Sequence, residues 1–140
     1  MTRDERGSTL PLILGFFLIA LIVIAGSVAA GDAFVQQRGL QDVCDGAAAA
    51  AAAAGVDLGR GGALDQEPAL QFGDVRAAVE AYLARDPSRT GVQVAAELSP
   101  DRRTLTLTCA QTEHIAFGAM FGKDEGVHHV IRSSARAPLS

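Results

Sequence analysis

The sequence contains no tryptophan and one tyrosine, and aromatic residues make up only 5% of it. A surface for stacking bases or sugars is therefore not expected. Nor is there a basic cluster: 12 Lys and Arg stand against 16 Asp and Glu, a net charge of −4. Nucleic-acid binding through phosphate neutralisation thus has no footprint. Cysteine is scarce, with Cys44 and Cys109 alone. The most informative absence is local. From Gly7 to Gly31 no residue carries a charge.

Within that window, Leu10 to Ala30 reads LPLILGFFLIALIVIAGSVAA. As an α-helix, a stretch of this length covers roughly 30 Å, the thickness of a hydrocarbon core. A helix satisfies its own backbone hydrogen bonds, so lipid is a permitted surrounding. Pro11 falls in the first turn, where its missing N–H costs little. Residues 10–30 are therefore expected to form a transmembrane helix. Arg3 and Arg6 precede the run, and only Arg38 follows closely. That bias puts residues 1–9 in the cytoplasm and the rest outside. A second reading stays open: Val28-Ala29-Ala30 has the small residues of a signal-peptide cleavage site. Either way the remainder of the chain is exported.

Beyond Gly31 helical spacing continues. Phe34, Leu40, Val43, Cys44, Ala47, Ala48 and Ala51 alternate with polar residues, and Ala47 to Ala54 is unbroken alanine. One long helix from about Pro11 to Ala54 is expected, lipid-embedded first and an amphipathic spine over 31–54. Gly55 is the expected stop, and Gly31 and Gly39 are candidate kinks. The alanine run fits either compositional drift or a closely packed seam. Residues 55–71 are rich in glycine and proline and read as a loop. Gly59-Arg60-Gly61-Gly62 lacks the Lys-Ser/Thr of a phosphate loop.

Residues 72–140 read as a small exported domain. Gly73 to Arg85 is helical, with Phe72, Val75, Ala78, Val79, Tyr82 and Leu83 on one face, Asp74 at its start, where a carboxylate suits the dipole and an N-cap role, and Pro87 beyond its end. The period then changes to two. Val92, Val94, Ala96 and Leu98 share a face; after the turn Ser99-Pro100-Asp101-Arg102, so do Leu105, Leu107 and Cys109, with threonines opposite. Ile115 to Phe121 is short and apolar, either a helical turn on the sheet or a membrane-proximal patch. Val127 to Ala137 alternates as a third strand, ended by Pro138. The fold class is α+β: a spine helix, a second helix and a small antiparallel sheet.

In an exported domain two cysteines suggest a disulfide. Cys44 lies on the helix's apolar stripe and Cys109 on the buried strand face, so a Cys44–Cys109 bond would staple spine to sheet. Free thiols are the alternative. His128 and His129, adjacent on a strand, point to opposite faces and cannot chelate one ion together. His114 follows Glu113 in a turn region. No serine has a nucleophile-elbow context and no paired carboxylates share a frame. No catalytic, metal or cofactor residues and no small-molecule substrate are therefore assigned, and an enzyme is not expected.

Three stretches together carry a resemblance: Arg6-Gly7-Ser8 before the apolar run, Gln36-Gln37-Arg38-Gly39-Leu40-Gln41-Asp42, and Cys44-Asp45-Gly46-Ala47-Ala48-Ala49-Ala50. The chain resembles Flp pilus-assembly proteins of the TadE/TadG type over residues 6–54. A looser likeness covers 103–137, with its Thr-rich strand, Phe121-Gly122 and closing Ala-Arg-Ala. The resemblance implies a pilin-like fold and a minor-pilin or pseudopilin-like membrane subunit of a tight-adherence (Tad) apparatus. Its implied partners are other membrane subunits of that apparatus and the bilayer. Processed members of the family carry a glycine before the scissile bond and a glutamate at the fifth mature residue. Here the fifth residue after Gly7 is Leu12, and Glu5 lies on the wrong side. That departure fits the TadG-like branch. A secreted, signal-cleaved binding domain is the alternative.

Overall fold

The computed structural model describes residues 9–59 and 70–136. The lead with Arg3, Arg6 and Gly7, the Arg60–Gly62 portion of the glycine-rich stretch, and Pro138 lie outside the described residues. Helix α1 runs Thr9–Gly59, α2 runs Phe72–Ala84, and three strands follow: β1 (Gln93–Leu98), β2 (Thr104–Glu113) and β3 (Val127–Arg136). The architecture is α+β, with a long apolar helix, a second helix and a three-stranded antiparallel sheet in the order β1-β2-β3.

α1 stays helical through Gly31, Gly39 and Gly55 alike. The expected stop at Gly55 is thus corrected to Gly59, and the first residues of the expected 55–71 loop belong to the helix. Glycine permits the left-handed conformation that ends helices but does not compel it; inside a helix it costs only about 1 kcal/mol. Of the two roles expected for Asp74, the dipole role holds and the cap role does not. The N-cap of α2 is Gln71, and Asp74 lies inside the first turn, where its charge complements the helix dipole.

The two halves of α1 differ in surroundings. Leu10, Leu12, Phe16, Ile19, Ile22 and Ile24 are all exposed. Leu40, Cys44, Ala47, Ala48 and Ala51 are buried and form a core with Leu70, Val75, Val79, Leu105, Leu107 and Cys109. Their spacing along α1 is one helical face. The alanine run is therefore half seam: Ala47, Ala48, Ala51 and Ala52 are buried, while Ala49 and Ala53 are exposed. The sheet's inner face closes on this seam, with Val94 and Ile131 flanking Cys109. Its outer face is mostly polar, bearing Thr106, Thr108 and Thr112 with their partners Ser134, Arg132 and His128, and interrupted by the Ala110–Val130 pair. We call the unit packed on the second half of α1 the head.

Small residues on α1 let α2 approach closely. A Cβ on Gly46 would stand 2.7 Å from Tyr82 Cζ. That ring is itself held, since the Arg89 guanidinium stacks over its face 4.1 Å from the centroid, and Arg89 Nη1 donates to the Tyr82 carbonyl at 2.8 Å. The β1–β2 turn is tied by Ser99, whose hydroxyl donates to Asp101, and by the Arg103 amide donating to Asp101 at 3.1 Å. These two bonds hold the Asp101 carboxyl below its usual range. Because that pKa is depressed by folding, the stabilisation is present above the ordinary carboxylate range and is lost as pH falls.

Gly46→Ala tests the helix contact. Helix propensity alone would stabilise by about 1 kcal/mol, but overpacking costs roughly 1–3 kcal/mol. The expected outcome is a lower midpoint of thermal unfolding. In a Tyr82→Ala background the same change is expected to raise it instead.

Candidate interaction site where the head meets the apolar helix

β2 runs opposite in direction to α1, and successive contacts step down the helix. The two sulfurs of Cys109 and Cys44 are bonded at 2.11 Å. Further along, Gln36 Nε2 donates to the His114 carbonyl at 3.1 Å. Next, the Ala116 amide donates to Asp32 Oδ2 at 2.9 Å. Last, the Phe121 ring lies 3.8 Å from the place a Cβ on Gly26 would occupy. The segment between β2 and β3 therefore descends α1 from the level of Gln36 to that of Gly26. At about 1.5 Å per residue that is roughly 15 Å.

The descending segment forms a lobe. Its three-ten turn spans Gly118–Phe121. Gly118 is buried, and a Cβ there would meet the Lys123 carbonyl oxygen at 2.7 Å, so closure of the lobe requires glycine. Phe117 holds a left-handed backbone, φ 58°, an uncommon state for a bulky residue. Phe117, Met120 and Phe121 are exposed. Of the two readings open for Ile115 to Phe121, the turn is present, and it lies against α1.

Asp32 and Gln36 form the clasp above this lobe. They sit one turn apart, and Gln36 Nε2 also reaches Asp32 Oδ1 at 3.4 Å. In the sequence they read only as polar residues between apolar ones; their placement at the end of the charge-free window is the signal they carry. Two buried polar atoms at this seam lack a partner among the described residues, Gln36 Oε1 and His129 Nε2. The seam is thus polar near the lobe and apolar around Leu40 and the disulfide.

The three histidines go separate ways. His128 is exposed and meets Thr112 Oγ1 at 3.1 Å. His129 turns inward, and His114 is exposed. Among the described residues no three His, Cys, Asp or Glu lie close enough to hold a metal ion. A cleft of about 460 Å³ between α2 and β1 is lined by Phe72, Leu83 and Val94, with Arg76 and Glu80. Those two charges pair with each other at 2.9 Å.

These features define a class: a head built onto the far half of a helix whose near half is bare, apolar and long enough to cross a membrane. Residues 7–54 match the family model of Flp pilus-assembly TadE/G-like proteins. That stretch, which takes in nearly all of α1, is similar to this family, as the resemblance read from the sequence has it. The match ends at Ala54, so the looser likeness of 103–137 lies beyond it. No curated protein and no solved structure matches the chain. The matching family is one of pilus assembly, and the helix on which the match falls is long and apolar enough to cross a membrane.

The bond between Cys44 and Cys109 spans 65 positions and both residues are fully buried. Closing a loop of that length contributes about 4 kcal/mol in the chain-entropy model. Intact mass of the unreduced native protein is expected to fall short of the reduced mass by two hydrogens. Replacing both cysteines by alanine is expected to remove stability on the order of 4 kcal/mol. Two thiols open to alkylation in the native protein would refute the linkage.

Proposed function

We propose that the chain is a single-pass accessory subunit in the assembly of a Flp/Tad-type pilus or secretion apparatus. Its N-terminus is cytoplasmic and its head extracytoplasmic. It works through contacts, without catalytic turnover: helix to helix in the bilayer, and head to neighbouring subunits outside. One observation carries this reading. A single unbroken helix, Thr9–Gly59, supplies both the bare apolar segment and the spine of the head, and the family match falls on that helix.

The same continuity favours a retained anchor over a cleaved signal. The helix passes through Val28-Ala29-Ala30 without a break, and Ala29 is buried. A cut after Ala30 would remove Gly26, the residue against which Phe121 lies. It would also leave Asp32 at a frayed helix start, where the clasp to Ala116 would loosen. The structural subunit reading further accords with the mostly polar outer face of the sheet and with the mutually paired charges of the α2–β1 cleft.

Membrane fractionation tests the proposal, followed by crosslinking and co-purification from the cells that make the protein. The full chain is expected in the membrane fraction, resistant to alkaline extraction, and to bring down other pilus-assembly membrane proteins. A head protected from external protease in spheroplasts would reverse the orientation. A mature chain beginning at Gly31 and free of membrane would replace the subunit reading with the secreted domain.

A further inference from the structure

We propose that the lobe between β2 and β3 is a lipid-contacting foot, with Phe117, Met120 and Phe121 seated in the outer boundary of the bilayer. This rests on the anchored reading above and adds a second, separate contact with lipid.

Depth is the first ground. If Leu10–Ala30 fills the hydrocarbon core, Gly26 lies four residues inside its outer edge, about 6 Å. Phe121 is beside Gly26, so the tip of the lobe shares that level. Asp32, the first charge after the window, is six residues further out, roughly 9 Å along the helix. Amphipathic elements at a membrane surface bury their apolar side to about 5–10 Å. The lobe's position along α1 falls in that range.

Chemistry is the second ground. Phe117 is 51% exposed, Met120 66% and Phe121 45%. All three stand on one short lobe, continuous with the bare apolar surface of α1. Water would surround a costly patch there, whereas acyl chains would not. Phe117 is displayed in this way from a left-handed backbone, a cost that a purely structural turn would avoid with glycine.

Backbone satisfaction is the third. Hydrogen bonds made within a segment lower the cost of bringing its backbone toward hydrocarbon. The Gly118 amide donates to the Ile115 carbonyl, Met120 to Phe117, Gly122 to Ala119 and Lys123 to Gly118. The Ala116 amide is taken by Asp32. Lys123, Asp124 and Glu125 follow at once and are exposed; they return the chain to water and limit the depth to the apolar tip.

The absence of native tryptophan makes the test direct. Single variants of the full chain are placed in phosphatidylcholine nanodiscs whose acyl chains are brominated close to the headgroup. Met120→Trp, and independently Phe117→Trp, report on the lobe. Ile24→Trp reports on α1 at matched depth, and Phe72→Trp on an exposed site of the head remote from the lobe. The expected result is a loss of emission for the two lobe variants comparable to that of Ile24→Trp, with Phe72→Trp unaffected. Quenching of Ile24→Trp without quenching at the lobe overturns the foot and leaves the anchor standing. Blue-shifted but unquenched emission at the lobe also overturns it, because a second protein copy then covers the patch. Absence of quenching at Ile24→Trp overturns the anchored reading and the foot together.

Discussion

One hydrogen-bond ladder constrains everything else. The backbone of α1 is paired from Thr9 to Gly59, so the apolar half and the head-bearing half cannot be reoriented independently without breaking helix. A hinge between them would free amides and carbonyls near a bilayer surface, where few partners are available. The seam residues Leu40, Cys44, Ala47, Ala48 and Ala51 then fix the rotation of the sheet around the helix, because only that face is apolar and narrow enough to accept it. The position of the head along the helix is fixed separately, by the disulfide at Cys44 and the clasp at Asp32 and Gln36.

The seam also explains the unusual composition. A core with few aromatics must be thin. Alanine and glycine on α1 bring the strands and α2 close, and Leu105, Leu107 and Leu70 fill what remains. The buried sulfurs lie in the middle of this thin layer. A small head of this kind gains a modest amount from apolar burial, so a covalent link is a large share of its stability. The polar clasp adds directional bonds where the apolar seam runs out.

Much of this fold is legible in the sequence. The apolar helix follows from the missing charges, and the sheet faces follow from strict alternation in Val94, Ala96 and Leu98 and in Leu105, Leu107 and Cys109. The second helix was bounded within a residue or two by Pro87 and the spacing of Val75 and Val79. The helix end was not legible, because Gly55 permits a stop without compelling one. Asp74 left two roles open, because a carboxylate at the start of a helix serves equally as cap or first-turn residue. The candidate site was the least legible part. Asp32 and Ala116 are 84 positions apart, and no local periodicity records that they meet. That Ile115 to Phe121 descends along α1 depends on the direction of β2 relative to the helix, which is settled by packing and not by pattern.

The cross-link has a mechanical corollary. Tension between the last strand and the apolar helix would travel from Cys109 through the sulfurs to Cys44 and into α1. The enclosed polypeptide, with α2 and β1, is shunted out of the load path. A tug at the end of β3 would therefore be carried by β3, the lobe and the end of β2.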